Sequence, residues 1–172
     1  MKKLFLLLFP FVVIQSCFAE KKHLAVGENV PVFSLKDQDG NMFNVTDYVG
    51  KKILVIYFYP KDESGVCTKE ACSFRDSYAD FTNSGAMVIG INPESSATHK
   101  KFKTNHNLPF TLLSDPDKTV IKLFGVKSKF FLTGRETFVI DLSGKIGYTY
   151  KEFGEGSQHM VEALKYINSI KK

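Results

Sequence analysis

Residues 52–59 read Lys-Ile-Leu-Val-Ile-Tyr-Phe-Tyr, an unbroken apolar run rich in β-branched residues and stopped by Pro60. Without polar alternation, such a run predicts a central strand covered on both faces. The rest of the chain supplies the cover. Ala71, Phe74, Tyr78 and Phe81 recur at three and four, predicting a helix over 68–81. A second buried strand is expected at 86–91, a lysine-rich helix at 95–105 and a short helix at 119–124. A strand at 137–141 turns at Ser143-Gly144 into 145–150. Ser157 is expected to cap a last helix in which Met160, Leu164 and Ile167 share one face. Asp39-Gly40 marks a hairpin turn that pairs 43–45 with the extended run at 30–35.

Strands alternating with helices, closed by a terminal hairpin, predict an α/β three-layer sandwich with a central mixed sheet, an arrangement that suits the thioredoxin class. The 172 residues are 44% hydrophobic and 24% charged. That is one domain, large enough to bury a core without disulfide staples. No repeat or linker divides it. Formal charge is +5, and loss of Lys2 and Lys3 leaves 21 basic against 18 acidic residues, or +3. So mild an excess excludes nucleic acid as an expected partner.

The first nineteen residues are an address. Met1-Lys2-Lys3 is a short cationic start, residues 4–14 are almost wholly apolar, and Gln15 to Ala19 supply small or polar residues around a cut. The apolar run is shorter than the roughly twenty residues a membrane span needs. An export signal at 1–19 is therefore expected, releasing a domain of residues 20–172 into a periplasm. The alternative cut, before Cys17, would leave a lipid-modified cysteine that anchors the protein. In either case Cys17 is no catalytic thiol, and two cysteines remain.

Both lie just after the central strand, in Tyr59-Pro60-Lys61-Asp62-Glu63-Ser64-Gly65-Val66-Cys67-Thr68-Lys69-Glu70-Ala71-Cys72. Cys67 falls past a loop, at the start of a predicted helix, where unpaired N–H groups and the positive helix end favour thiolate over thiol. Ser64 can offer a hydroxyl to a bound oxygen. Pro60 stiffens the loop and keeps one backbone donor away. A thiolate among donors directed at oxygen is equipped to attack a peroxide O–O bond. Cys72 follows five residues later, which on a regular helix means about 7.5 Å of rise and roughly 140° of rotation. Such sulfurs point apart, past the roughly 7 Å Cα limit for a disulfide. A bond between them requires the first turn to unwind; otherwise Cys72 is a small core residue.

Pro60-x3-Ser64-x2-Cys67 resembles the Pro-x3-Thr/Ser-x2-Cys signature of peroxiredoxins. With Cys72 and Ser73-Phe74-Arg75-Asp76, the segment is similar to the bacterioferritin-comigratory protein (PrxQ) subfamily. The likeness continues through 47–55, Leu113-Ser114-Asp115-Pro116 and 134–144. Members usually carry Pro-Gly before the reactive cysteine, where this chain has Gly65-Val66. The resemblance implies a thiol peroxidase acting on hydrogen peroxide and organic hydroperoxides. Cys67 would be the peroxidatic nucleophile and Cys72 the resolving cysteine. Arg135 and Ser64 would orient the peroxide, with Pro60 shielding the thiolate. It further implies an intramolecular disulfide reopened by thioredoxin or a thioredoxin-like reductant, no metal or organic cofactor, and a monomer.

Two other classes fit the fold less well. A disulfide reductase or isomerase would carry C-x2-C at the helix start, and a copper carrier would pair two cysteines with a downstream histidine. His23, His99, His106 and His159 show no ligand spacing to the cysteines and are expected on the solvated surface. Lys100, Lys101 and Lys103 are expected on the wet face of their helix. Glu70, three after Cys67, either meets the site arginine or caps its own helix.

Overall fold

The computed structural model describes residues 23–128 and 132–171; the expected export signal lies outside them. Thirteen short elements follow one another: β1 (Ser34–Asp37), β2 (Met42–Asn44), a 3-10 turn (Val45–Asp47), β3 (Ile53–Phe58), α1 (Gly65–Asp76), α2 (Tyr78–Asn83), β4 (Ala86–Asn92), α3 (Ser96–Asn105), β5 (Thr111–Ser114), α4 (Thr119–Leu123), β6 (Glu136–Ile140), β7 (Ile146–Tyr150) and α5 (Gly156–Ser169). The strands form one sheet in the order β2-β1-β5-β4-β3-β6-β7. β3 runs parallel to β4, with Val55 opposite Val88, and antiparallel to β6, with Val55 opposite Val139. The sheet is therefore mixed, and the apolar run occupies its middle.

Every residue of β3 is buried, because each face of the sheet has its own core. Val55, Tyr57 and Tyr59 point toward Ala71 and Phe74 of α1, Phe81 of α2, Phe102 of α3, and Ala163 and Ile167 of α5. Leu54, Ile56 and Phe58 point the other way, into Val120, Ile121 and Phe124 around α4 and Phe138 and Ile140 of β6. Burial of each such side chain contributes about 1.5–3 kcal/mol before conformational entropy is counted. The hairpin turn forms at Asp39-Gly40, where Gly40 takes φ +86° and the Asp37 carboxylate accepts from the Asp39 and Asn41 amides.

Three local expectations change. The helix over 68–81 is two helices, broken at Ser77 (φ −101°, ψ 13°), and both Phe74 and Phe81 stay fully buried with ring centroids 5.6 Å apart. β5 is a strand that four residues are too few to announce by periodicity. The last helix begins at Gly156, with no side-chain cap, and its innermost stripe is His159, Ala163 and Ile167; Met160 and Leu164 are only half-buried. The glycine has a steric cause. A Cβ at 156 would sit 2.6 Å from the Val66 carbonyl oxygen and 2.9 Å from Cβ of Glu70. Bare backbone there lets α5 lie against the first turn of α1. Among the described residues no helix is long and apolar enough to cross a membrane.

Candidate active site

Cys67 is the third residue of α1, in the first turn of the helix that follows β3 across the loop 59–64, and is only 1% exposed. Ser64 holds the N-cap position without a side-chain cap bond; its hydroxyl donates instead to the Lys61 carbonyl at 3.3 Å. The antiparallel register of β3 and β6 sets Phe58 opposite Glu136, which brings the preceding residue, Arg135, alongside the end of β3 and the Cys67 turn. Arg135 is buried and uses each of its nitrogens. Nη2 donates to Cys67 Sγ at 3.1 Å, Nη1 to Glu70 Oε2, and Nε to the Phe153 carbonyl at 3.2 Å. A planar guanidinium tied at two of its corners has one orientation left for the third.

Glu70 explains how so buried a cation is tolerated. It lies three residues after Cys67 on the same face of α1, is fully buried, and is the ion partner of Arg135. Of the two roles open to it from sequence, the structure shows the contact with the arginine. Pro60, Ser64, Val66, Cys67, Arg135 and Phe153 share the wall of a cleft of about 280 Å³, whose lining is mostly apolar. Cys72 does not line it. Its thiol is in no disulfide and is half-buried on the same unbroken helix, beside the Arg75 guanidinium. Arg75, one turn beyond Cys72, donates to the His106 carbonyl at 2.8 Å and is paired with Asp76 at 2.8 Å.

The histidines correct the expectation of a solvated surface. His99 and His159 are fully buried, while His23 and His106 bond carboxylates at 2.6 and 2.8 Å (Glu136 and Glu63). Lys103 also departs from the wet face, half-buried with its ammonium donating to the Phe110 carbonyl; Lys100 and Lys101 remain exposed. No spacing could announce His99 or His159, since a lone histidine on a helix reads alike whether its ring is wet or hydrogen-bonded inside. His159 belongs to the site. Its Nε2 donates to the Glu152 carbonyl at 2.7 Å, and its Nδ1 accepts from the Thr137 hydroxyl at 2.9 Å. Nδ1 therefore faces Glu70 Oε1, 3.7 Å away, without a proton to offer it. Among the described residues no donor reaches that oxygen.

Burial pushes the His159 pKa down to about 4, with the Arg135 charge adding to the effect and the bond to Glu152 opposing it. Depression of a histidine means the unfolded chain binds the proton first. Stability should thus be complete above the ordinary value of 6.5 and fall as pH drops from there toward about 4. The loss attributable to His159 reaches about 3 kcal/mol at most. Urea midpoints at pH 7 and pH 5 should show it, and His159→Gln should flatten the difference. An unchanged slope in that variant would assign the acid sensitivity to other groups.

The comparisons agree with this geometry. Residues 26–149 match the family model "AhpC/TSA family". The chain is 45% identical over 146 residues to the chloroplastic peroxiredoxin Q of Suaeda salsa, spanning 84% of this chain and 68% of that one. It is 46% identical over 147 residues to the corresponding protein of Sedum lineare, spanning 84% and 78%. The peroxidoxin BcpB of Mycobacterium tuberculosis superposes with a TM-score of 0.82 at 32% identity, over 87% of this chain and all of that one. The bacterioferritin comigratory protein of Xanthomonas campestris, a structure described for its alkyl peroxide reduction activity, gives 0.75 at 26% identity over 81% and 92%. A mixed seven-stranded sheet, a cysteine in the first turn of the helix after its central strand, and relatives of this closeness leave one assignment: the chain belongs to the AhpC/TSA family, as a thiol-dependent peroxidase of the peroxiredoxin Q type.

Proposed function

We propose that Cys67 is the peroxidatic cysteine, that Cys72 resolves it within the same chain, and that a thioredoxin-like dithiol recycles the enzyme. The observation that carries this reading is the 3.1 Å contact from Arg135 Nη2 to Cys67 Sγ at the wall of the cleft. The guanidinium there faces both the sulfur and the place a peroxide oxygen must occupy to be attacked. Cys67 thiolate attacks the terminal oxygen, forming an S–O bond as the O–O bond breaks. The departing oxygen takes a proton, giving water or an alcohol, and the sulfur is left as a sulfenic acid. Arg135 holds a fixed positive charge where negative charge moves from sulfur to the leaving oxygen, and no solvent reorganises to supply it. The Ser64 hydroxyl, free to turn from the Lys61 carbonyl, is the second donor to the peroxide. Buried Pro60, lacking an N–H, keeps that wall dry. Apolar lining from Val66 and Phe153 suits organic hydroperoxides as well as hydrogen peroxide.

Cys72 then condenses with the sulfenic acid, forming the disulfide and releasing water. An external dithiol reopens it by exchange through a mixed disulfide. The cycle needs one chain only, so a monomer is the proposed working unit. Catalytic peroxide consumption with a thioredoxin, thioredoxin reductase and NADPH tests the reading. Turnover only with a monothiol would replace it by a one-cysteine mechanism.

The residues ahead of the domain support export to a periplasm, with release at Glu20 by cleavage after Ala19. Intact mass of the processed protein decides the cut: a diacylated Cys17 would replace the released form by an anchored one.

A further inference from the structure

The loop between β3 and α1 places two consecutive carboxylates against α3. Asp62, buried, accepts from Tyr59 (2.7 Å) and Asn92 (2.9 Å) on one oxygen and from His99 Nδ1 (2.7 Å) on the other. The other His99 nitrogen, Nε2, donates to the Leu113 carbonyl at 3.2 Å. Adjacent residues on extended backbone point to opposite sides, so a second carboxylate aimed at the same helix needs an unusual backbone. Glu63 has it, with φ +56° in the left-handed region. Its carboxylate accepts from Asn105 Nδ2 at 2.9 Å and His106 Nε2 at 2.8 Å, at the end of α3. Hydrogen bonds from His106 and then Asn105 hold the Glu63 carboxyl below its usual range.

His106 has a second contact: its own carbonyl accepts from Arg75 Nη1 at 2.8 Å. The segment from Glu63 to Arg75, which contains both cysteines and the helical turn between them, is therefore pinned at both ends to one residue. Neither Glu63 nor His106 lines the Cys67 cleft or bonds Arg135.

We propose that Glu63 and His106 are positioning residues of the resolving step, a brace that sets how readily the first turn of α1 opens to let Cys72 reach the Cys67 sulfenic acid. This rests on the intramolecular mechanism proposed above. A turn pinned at both ends opens only by breaking a pin or by straining between them. Releasing the loop end should raise the population of the opened turn while leaving the closed peroxide site as it is. His106→Ala weakens that end, leaving Asn105 Nδ2 on the Glu63 carboxylate, and keeps the carbonyl that holds Arg75. Glu63→Gly does it while suiting the left-handed backbone. His106→Gln retains a donor for Glu63.

Rapid quench with a thiol-blocking reagent, read by intact mass, separates the two steps. In His106→Ala and Glu63→Gly, disulfide formation after a peroxide pulse should speed up about threefold, the scale for a partly exposed ion pair. The peroxide concentration that over-oxidises half of Cys67 should rise by the same factor. Oxidation of Cys67 itself should proceed at the wild-type rate, and His106→Gln should return resolution toward wild type. A purely structural role would slow both steps together, and that outcome, or unchanged resolution, overturns the brace. Absence of any Cys67–Cys72 link in the wild type would instead sink the mechanism beneath it, and the brace with it.

Discussion

Cys67→Ser should abolish peroxide consumption in the thioredoxin-coupled assay, whereas Cys72→Ser should consume about one peroxide per chain and then stop. The difference follows from the two positions. A serine hydroxyl at neutral pH supplies almost no anion, and among the described residues no second thiol lines the cleft to replace the missing nucleophile. Cys72 lies outside the cleft on an intact helix, so its removal leaves the first oxidation untouched. The sulfenic acid then has no partner. It should react with a sulfenate probe, and excess peroxide should carry it on to sulfinic acid. Continued full-rate turnover of Cys72→Ser with thioredoxin would make Cys72 an ordinary core residue.

Arg135→Ala should lower the second-order rate with peroxide at least tenfold, about 1.4 kcal/mol of transition-state stabilisation. It should also destabilise the fold. An exposed arginine could be truncated harmlessly, but this one is 2% exposed and is the ion partner of a Glu70 that is fully buried. Removing one partner of such a pair costs about 3–5 kcal/mol, because the other charge stays in a low-dielectric interior. The two effects can be separated. Glu70→Leu combined with Arg135→Met removes both charges at similar volume and should recover most of the stability in urea titration. Its peroxide rate should stay low. Arg135→Lys should rescue poorly, since an ammonium cannot reach sulfur, carboxylate and the Phe153 carbonyl from one plane. Wild-type peroxide kinetics in Arg135→Ala would move the cationic role elsewhere.

What the sequence made legible is what repeats or stands next to itself. The run at 52–59 announced the central strand because burial on both faces leaves a long apolar, β-branched stretch without polar alternation. Cys67, Ser64 and Pro60 lie within eight residues, so their loop could be read as a unit. Arg135 could be paired with Cys67 only through resemblance, because the sheet register that joins them links residues 68 apart. Glu70 could be offered to the arginine only as one of two roles, and the other polar contacts around the site were illegible for the same reason. Glu70, Thr137 and His159 come from three elements, and Asp62 and Glu63 meet α3 through a left-handed backbone that no local pattern announces. Ser157 looked like a helix cap by type, yet the position before it had to be glycine to clear Val66 and Glu70. Packing between α1 and α5 decided that boundary, and local propensity did not.

The intramolecular disulfide is the centre of the account, since it requires an intact and half-buried helix to open. Peptide mapping of the wild type under non-reducing conditions, after one equivalent of peroxide, tests it most directly. The predicted product is a monomer with a Cys67–Cys72 link, accompanied by loss of amide protection across residues 67–74 while the strand around Val55 keeps its own. A covalent dimer with no internal link would contradict it.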